Sequence, residues 1–295
     1  MRPREFLAPP WRVALRAGRA IGFGRVPAGG FRILMFHDVP QTRWHDFAAL
    51  LDHIKARFGL IDPAEAARRL TVGEADGAAE TDRAPCLLSF DDGFASNLAL
   101  AKSLLADHGA TALFFVCPGL VELPAAAQRD AVAANILDRN SADVMAPDQR
   151  LMNWDELAEL RDLGHGIGAH GLNHRRLAGL GVEELTSEIE VPGRILADKL
   201  GIDVHWFAYP FGDIGAIDGA ALKVIGRCYR FCRSGVRGFN TTGVHRLAIL
   251  ADNMDLSASR PWQKLVLEGG LDFRYRGARQ RLDMLARAGD HNTPP

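Results

Sequence analysis

Cys86-Leu87-Leu88-Ser89-Phe90-Asp91-Asp92-Gly93 is an apolar run that stops abruptly at two adjacent carboxylates and a glycine. Its first five residues have the composition of a strand buried on both faces, so the stretch reads as a strand delivering charge to a site. Side chains alternate across an extended segment, so Asp91 and Asp92 cannot share one job unless the chain turns there. Gly93 permits such a turn. One carboxylate of the pair can then hold a metal while its neighbour handles a proton, a common division of labour in hydrolytic metal sites. The plainer alternative is a strand-to-helix junction whose Asp caps a helix running from Phe94 to Asp107.

The second informative stretch is Gly164-His165-Gly166-Ile167-Gly168-Ala169-His170-Gly171-Leu172-Asn173-His174. His170 and His174 stand four apart, a spacing that places both imidazoles on one face of a helical turn. With one carboxylate they make a three-ligand metal site that leaves positions open for water and substrate. A histidine pair on its own is more often structural. Joined to the Asp pair, it points to a metal centre.

Three ordered motifs carry a family resemblance. Ser89-Phe90-Asp91-Asp92-Gly93, His170-x-x-x-His174 and Phe207-Ala208-Tyr209-Pro210-Phe211-Gly212 resemble, in turn, the motifs of the polysaccharide deacetylases, the NodB-homology metal-dependent N-deacetylases. The resemblance spans roughly residues 31 to 250. Phe31-Arg32-Ile33-Leu34-Met35-Phe36-His37-Asp38 reads as a strand ending in His37. Ordinary members carry a similar strand near the C-terminus, with the histidine that acts as general acid. Here it precedes the Asp pair, an order that resembles the circularly permuted deacetylases of poly-N-acetylglucosamine.

The resemblance implies a distorted (β/α) barrel, seven-stranded and circularly permuted, in the α/β class. It implies removal of N-acetyl groups from an N-acetylated sugar, oligosaccharide or polysaccharide. Asp92, His170 and His174 would hold a divalent metal, zinc first, with cobalt, nickel, manganese and iron as alternatives. Asp91 would be the general base and His37 the general acid. Pro210, Phe211 and Gly212 would form the oxyanion segment, with the Phe211 N–H as donor. Two departures stand out. Ala208 replaces the arginine that orients the base in the family, and Gly171 replaces a Ser or Thr. Arg246, at the end of the short strand expected over His245-Arg246-Leu247-Ala248-Ile249, is the candidate replacement, and His245 is the runner-up acid. Two rival readings use the same residues: an amidase acting on a non-sugar C–N bond, and a catalytically silent carbohydrate-binding barrel.

Composition sets the frame. The chain has 295 residues, 47% hydrophobic and 24% charged, with a formal net charge of −1. That length suits one large barrel, and the balance suits a neutral sugar better than nucleic acid. Cys86, Cys117, Cys228 and Cys232 lack zinc-ribbon spacing or disulfide density and read as small hydrophobes.

The organisation expected is a basic leader over 1–30, a catalytic barrel over 31–255 and a basic extension over 256–295. The leader carries Arg2, Arg4, Arg12, Arg16, Arg19 and Arg25 but no apolar run long enough for a signal core or membrane span. That pattern leads to an expectation of cytoplasmic location. Peripheral contact with a membrane surface is the alternative for the leader, through Trp11, Val13, Leu15, Ile21 and Phe23. Residues 118–150 read as an insertion over the barrel rim, and a helical stretch over Leu177–Leu200 should bend near Pro192 and Gly193.

Overall fold

The computed structural model describes residues 3–20, 26, 29–72, 83–137 and 145–290. Residues 73–82 of the polar loop expected before Pro85, and Arg2, Ile21, Phe23 and Arg25 of the leader, lie outside the described residues.

Six short apolar runs become strands: β1 (Arg32–Phe36), β2 (Cys86–Phe90), β3 (Ala112–Val116), β4 (Gly166–Ala169), β5 (Trp206–Ala208) and β6 (Phe231–Arg233). A two-residue strand, β7 (Asp252–Asn253), completes a seven-stranded sheet in the order β6-β5-β4-β3-β2-β1-β7. Every pairing is parallel. Parallel neighbours require crossovers, and helices supply them.

Helix α1 (Ala8–Ala20) precedes β1, and α2 (Trp44–Arg57) and α3 (Pro63–Thr71) lead on to β2. Helix α4 (Ser96–Leu100) continues through a π-helical turn at Ala101–Leu105 towards β3. The rim insertion folds as α5 (Pro118–Val121) and α6 (Ala125–Ala131), with a π-helical turn at Val132–Ile136, before α7 (Trp154–Asp162). A capping box closed by Asn153 and Glu156 starts α7. Between β4 and β5 run α8 (Val182–Leu185), a π-helical turn at Thr186–Glu190 and α9 (Val191–Leu200), so the expected irregularity falls just before Pro192. Helix α10 (Gly219–Cys228) leads to β6, and α11 (Arg260–Leu267) and α12 (Arg276–Gly289) follow β7. Among the described residues no helix is long and apolar enough to cross a membrane.

Strand alternation sorts the core into two layers. Leu34, Phe36, Leu88, Phe90 and Phe114 face the helices, with Phe90 and Phe114 stacked at 4.9 Å and Phe36 edge-on to Phe47 of α2 at 5.2 Å. Ile33, Met35, Leu87, Leu113, Phe115 and Phe231 fill the inside. One segment closes the ring. The Cys232 N–H donates to the Arg246 carbonyl and the Ser234 N–H to the Ile249 carbonyl, while Asp252 and Asn253 pair with β1. The strand expected over His245–Ile249 is therefore reduced to a single bridge, Arg233 to Ile249, and the regular pairing begins at Asp252.

Outside the barrel proper, α1 packs on α11 and α12 packs on α10. All four cysteines are free. Cys86, Cys117 and Cys232 are buried as expected, whereas Cys228 is exposed at the last turn of α10, on a different element from Cys232.

The closure is braced by an ion pair on the outer face of the sheet, the side shared with Leu34 and Phe36. Arg32, buried at the start of β1, donates to Asp252 of β7 at 2.6 Å and to Asp272 of the 3-10 turn Asp272–Tyr275. Removing one partner of such a pair strands a buried charge. Arg32→Met is expected to lower unfolding stability by about 3–5 kcal/mol in urea titration; an unchanged midpoint would show that the ring closes without it.

Candidate metal centre

In a barrel of parallel strands all the C-terminal ends emerge on one rim, and the register decides which residues meet there. Phe36 of β1 lies beside Phe90 of β2, so His37 and Asp91 emerge together. The Asp91 N–H donates to the Phe36 carbonyl at 2.9 Å, holding the two chain ends in step. Val116 of β3 lies beside Ala169 of β4, which brings His170 to the same rim. Asp91 continues the inward alternation of Leu87 and Ser89, while Asp92 follows with φ +72° and leaves the strand line. The turn read from Gly93 thus begins one residue earlier.

Asp92, His170 and His174 each offer a ligand atom, and the three atoms lie within 4.8 Å of one another. Asp92 Oδ1 is 3.5 Å from Nε2 of both histidines. Both imidazoles use Nδ1 elsewhere: His170 donates to the Ala208 carbonyl and His174 to the Asn135 carbonyl, each at 2.7 Å. That leaves the Nε2 lone pairs aimed at Asp92. Both oxygens of Asp92 are buried and have no hydrogen-bond partner. Burial pushes its carboxyl above the ordinary value, against the pull of His37 and His174, and burial lowers His170 to about 3. A buried carboxylate without donors among the described residues, facing the Nε2 atoms of two imidazoles, fits a divalent cation of the zinc type.

Asp91 has the opposite surroundings. Arg233, at the end of β6, donates to both its oxygens at 2.6 Å, and both side chains are almost fully buried. Burial alone would raise the Asp91 carboxyl, but Arg233, followed by His170 and His37, holds it below the ordinary carboxylate value. The guanidinium also lies 4.9 Å over the Phe115 ring. His37 is exposed at the rim, and its carbonyl is held by the side chain of Asn97 at 3.1 Å.

The helical turn expected for His170 and His174 is not what brings them together. They sit on a loop that leaves β4, with Gly171 at φ +77° and His174 at φ +59°. The buried carboxylate of Glu188 ties this loop, accepting from the Leu172 N–H at 3.0 Å, the Asn173 N–H at 3.1 Å and the Asn173 side chain at 3.3 Å. Gly171 leaves room for it, since a Cβ there would lie 3.2 Å from Glu188 Oε2.

Phe211 has φ +65°, and its ring lies 4.7 Å from that of His174 and under Arg176 at 4.3 Å. Its N–H has no acceptor among the described residues. Pro210 touches the site from beside Gly171, and the Gly212 carbonyl accepts from Tyr209 Oη and the Gly235 N–H. Among the described residues the non-glycine positions with left-handed φ are Asp92, His174 and Phe211, all in this site. Such conformations cost about 1–3 kcal/mol each and persist where the surroundings impose them.

Arg246 and His245 are not part of it. Arg246 donates from Nε and Nη2 to Asp290, each at 2.8 Å, outside the barrel between α10 and the end of α12, and His245 Nε2 lies 3.4 Å from the same carboxylate. The arginine that serves Asp91 is Arg233. Its signal in the sequence is a cation closing the apolar Phe231-Cys232, which Arg230 also flanks, and the signal for Glu188 is an acid three residues after Leu185 on an apolar helical stripe.

Truncating Glu188 removes the acceptor for three donors and frees the loop between the two histidines. Glu188→Ala is expected to weaken zinc binding by about ten- to a hundredfold in chelator competition. Unaltered affinity would mean that the loop holds its shape without the carboxylate.

The comparisons with known proteins agree with this geometry. The chain resembles the solved structure of IcaB from Ammonifex degensii, at 18% identity and TM-score 0.61, covering 83% of this chain and 99% of that one. It also resembles the Streptococcus pyogenes deacetylase PplD in complex with acetate, at 18% identity and TM-score 0.59, covering 80% and 96%. A third is the BpsB deacetylase domain from Bordetella bronchiseptica, at 17% identity and TM-score 0.57, covering 77% and 96%. At these identities the likeness is one of fold. No curated protein matches the chain in sequence. The polysaccharide deacetylase family model matches residues 78–227, just over half of the chain and the part that contains Asp91, Asp92, His170, His174 and Pro210-Phe211-Gly212, and this protein belongs to the polysaccharide deacetylase family.

Proposed function

We propose that the chain hydrolyses the N-acetyl group of an N-acetylated sugar, oligosaccharide or polysaccharide, with a divalent cation held by Asp92, His170 and His174. The observation that carries this reading is the contrast between adjacent carboxylates: Asp92 is buried without a donor and faces two Nε2 atoms, whereas Asp91 is clamped by Arg233. A divalent cation at Asp92 would polarise the acetamide carbonyl and acidify water, with zinc the metal that best suits two imidazoles and a carboxylate.

Asp91 is ionised and oriented for proton abstraction, because Arg233 holds it low and fixes both its oxygens. It takes the proton from the attacking water as the C–O bond forms. The Phe211 N–H, unpaired and presented by a left-handed turn, donates to the oxygen that gains charge. His37, emerging beside Asp91, gives a proton to the sugar nitrogen as the C–N bond breaks, since an amide nitrogen leaves poorly as an anion. The products are acetate and a free amino sugar.

Catalysis is assigned to the barrel of residues 31–255. Arg233 and Glu188 support turnover over the silent-barrel reading, because they fill the places made doubtful by Ala208 and Gly171. The reading also includes peripheral contact with a membrane through the arginine-rich N-terminal segment.

Acetate release from N-acetylglucosamine oligomers by the zinc-loaded protein tests the activity. Asp91→Asn and His37→Ala are each expected to lower the rate by about 10²–10⁴-fold. Full activity in His37→Ala would remove the acid assignment. No release from any oligomer by the metal-loaded parent would move the activity to a non-sugar amide.

A further inference from the structure

Helix α1 is mounted with its polar side inward. Arg12 donates to both oxygens of Glu268 at 2.8 and 2.7 Å, and Arg16 donates to the same carboxylate at 2.7 Å. Glu268 is buried at the end of α11. Trp11 gives its indole N–H to the Gly270 carbonyl, and its ring meets that of Phe273 at 5.5 Å. What faces outward, beside the exposed Arg16, is mostly apolar: Phe6 and Leu7 of the 3-10 turn Pro3–Leu7 that leads into the helix and Val13 within it are 66%, 69% and 69% exposed, and Pro10, Ala14 and Ala17 are exposed with them. Phe273, 62% exposed, lies beside this surface. A surface helix ordinarily buries its apolar stripe and turns its charges to water. This one does the reverse, over several turns.

We propose that this face is a docking surface for an anionic phospholipid bilayer. Charge selects the occupant. Residues 1–26 carry six arginines and one acid, in a chain of net charge −1; of these Arg12 and Arg16 pair with Glu268, and Arg16 stays exposed beside the apolar face. That acid, Glu5, is buried and accepts from the Ser259 N–H, so it presents no anion to a membrane. Arg274 and Arg276 are exposed on either side of Tyr275, next to Phe273. An apolar face flanked by cations matches the interfacial helices that enter the boundary between headgroups and acyl chains, drawn there by anionic lipid. A second copy of the same face would set arginine against arginine.

The deduction about substrate rests on the deacetylase reading above. Glu5, in the 3-10 turn Pro3–Leu7 that leads into α1, accepts from the N–H of Ser259, six residues past the C-terminal end of β7, which belongs to the catalytic rim. The docking face therefore begins beside that rim and brings the site to acetylated sugars carried at a membrane surface.

The test is co-sedimentation of the full chain with vesicles of phosphatidylcholine alone and of phosphatidylcholine with equal phosphatidylglycerol. Binding is expected to the anionic vesicles and to fall by about tenfold or more on pure phosphatidylcholine. The Phe6→Glu/Val13→Glu double variant and, separately, Phe273→Glu should each lose about tenfold or more in vesicle binding. Their melting temperatures and their acetate release from soluble oligomers should stay at parental values, because these side chains are exposed and away from the site. No binding to anionic vesicles, or equal binding by parent and variants, overturns the proposal. A parental dimer in sedimentation equilibrium that the double variant dissolves would overturn it in favour of a contact between copies. Acetate release is read separately in solution, so a failed deacetylase reading and a failed docking face give different results.

Discussion

Two neighbouring carboxylates, both nearly fully buried, cannot share a fate at the end of one strand. Burial penalises each ionised group heavily, and each must be compensated or stay protonated. Asp91 is compensated within the chain, by a guanidinium from a strand on the far side of the barrel whose Nη2 reaches both carboxylate oxygens. Asp92 has no donor and is left for a cation. The inside of the barrel is arranged to keep these two solutions apart: Arg233 fills the centre, stacks on Phe115 and reaches Asp91 but not Asp92.

That arrangement is held by backbone strain and by groups distant in sequence. Asp92, His174 and Phe211 all adopt left-handed φ. The Asn135 carbonyl orients His174, the Ala208 carbonyl orients His170, and Glu188 gathers the chain between them. The rim insertion therefore does more than cover the cleft, because its Asn135 carbonyl sets the tautomer of His174. Ring closure serves the same end, since the segment that crosses from β6 to β1 fixes the distance between Arg233 and the strand that ends in His37.

Much of this was legible in the sequence because strand ends carry their own signals. The apolar run before Asp91 and Asp92, and the glycine-rich run before His170, marked the strands, and the alternation rule set the two acids in different surroundings. What was not legible depended on long-range pairing. Four-residue spacing suggested a helical turn for His170 and His174, but Gly171 and the left-handed His174 build the same proximity from a loop. Arg233 closes one short apolar stretch and Arg246 opens another, and only the closed ring shows that the first points into the barrel and the second out towards Asp290. Glu188 looked like one acid among several in a helix until the loop was seen to fold over it.

The division of labour between the two acids is tested most directly by cobalt titration of the parent, Asp91→Asn and Asp92→Asn, followed by visible absorption of the bound ion. Asp91→Asn is expected to bind cobalt with a near-parental spectrum, and Asp92→Asn to lose the spectrum. Loss of cobalt on Asp91→Asn with retention on Asp92→Asn would contradict the assignment and reverse the roles of the two carboxylates.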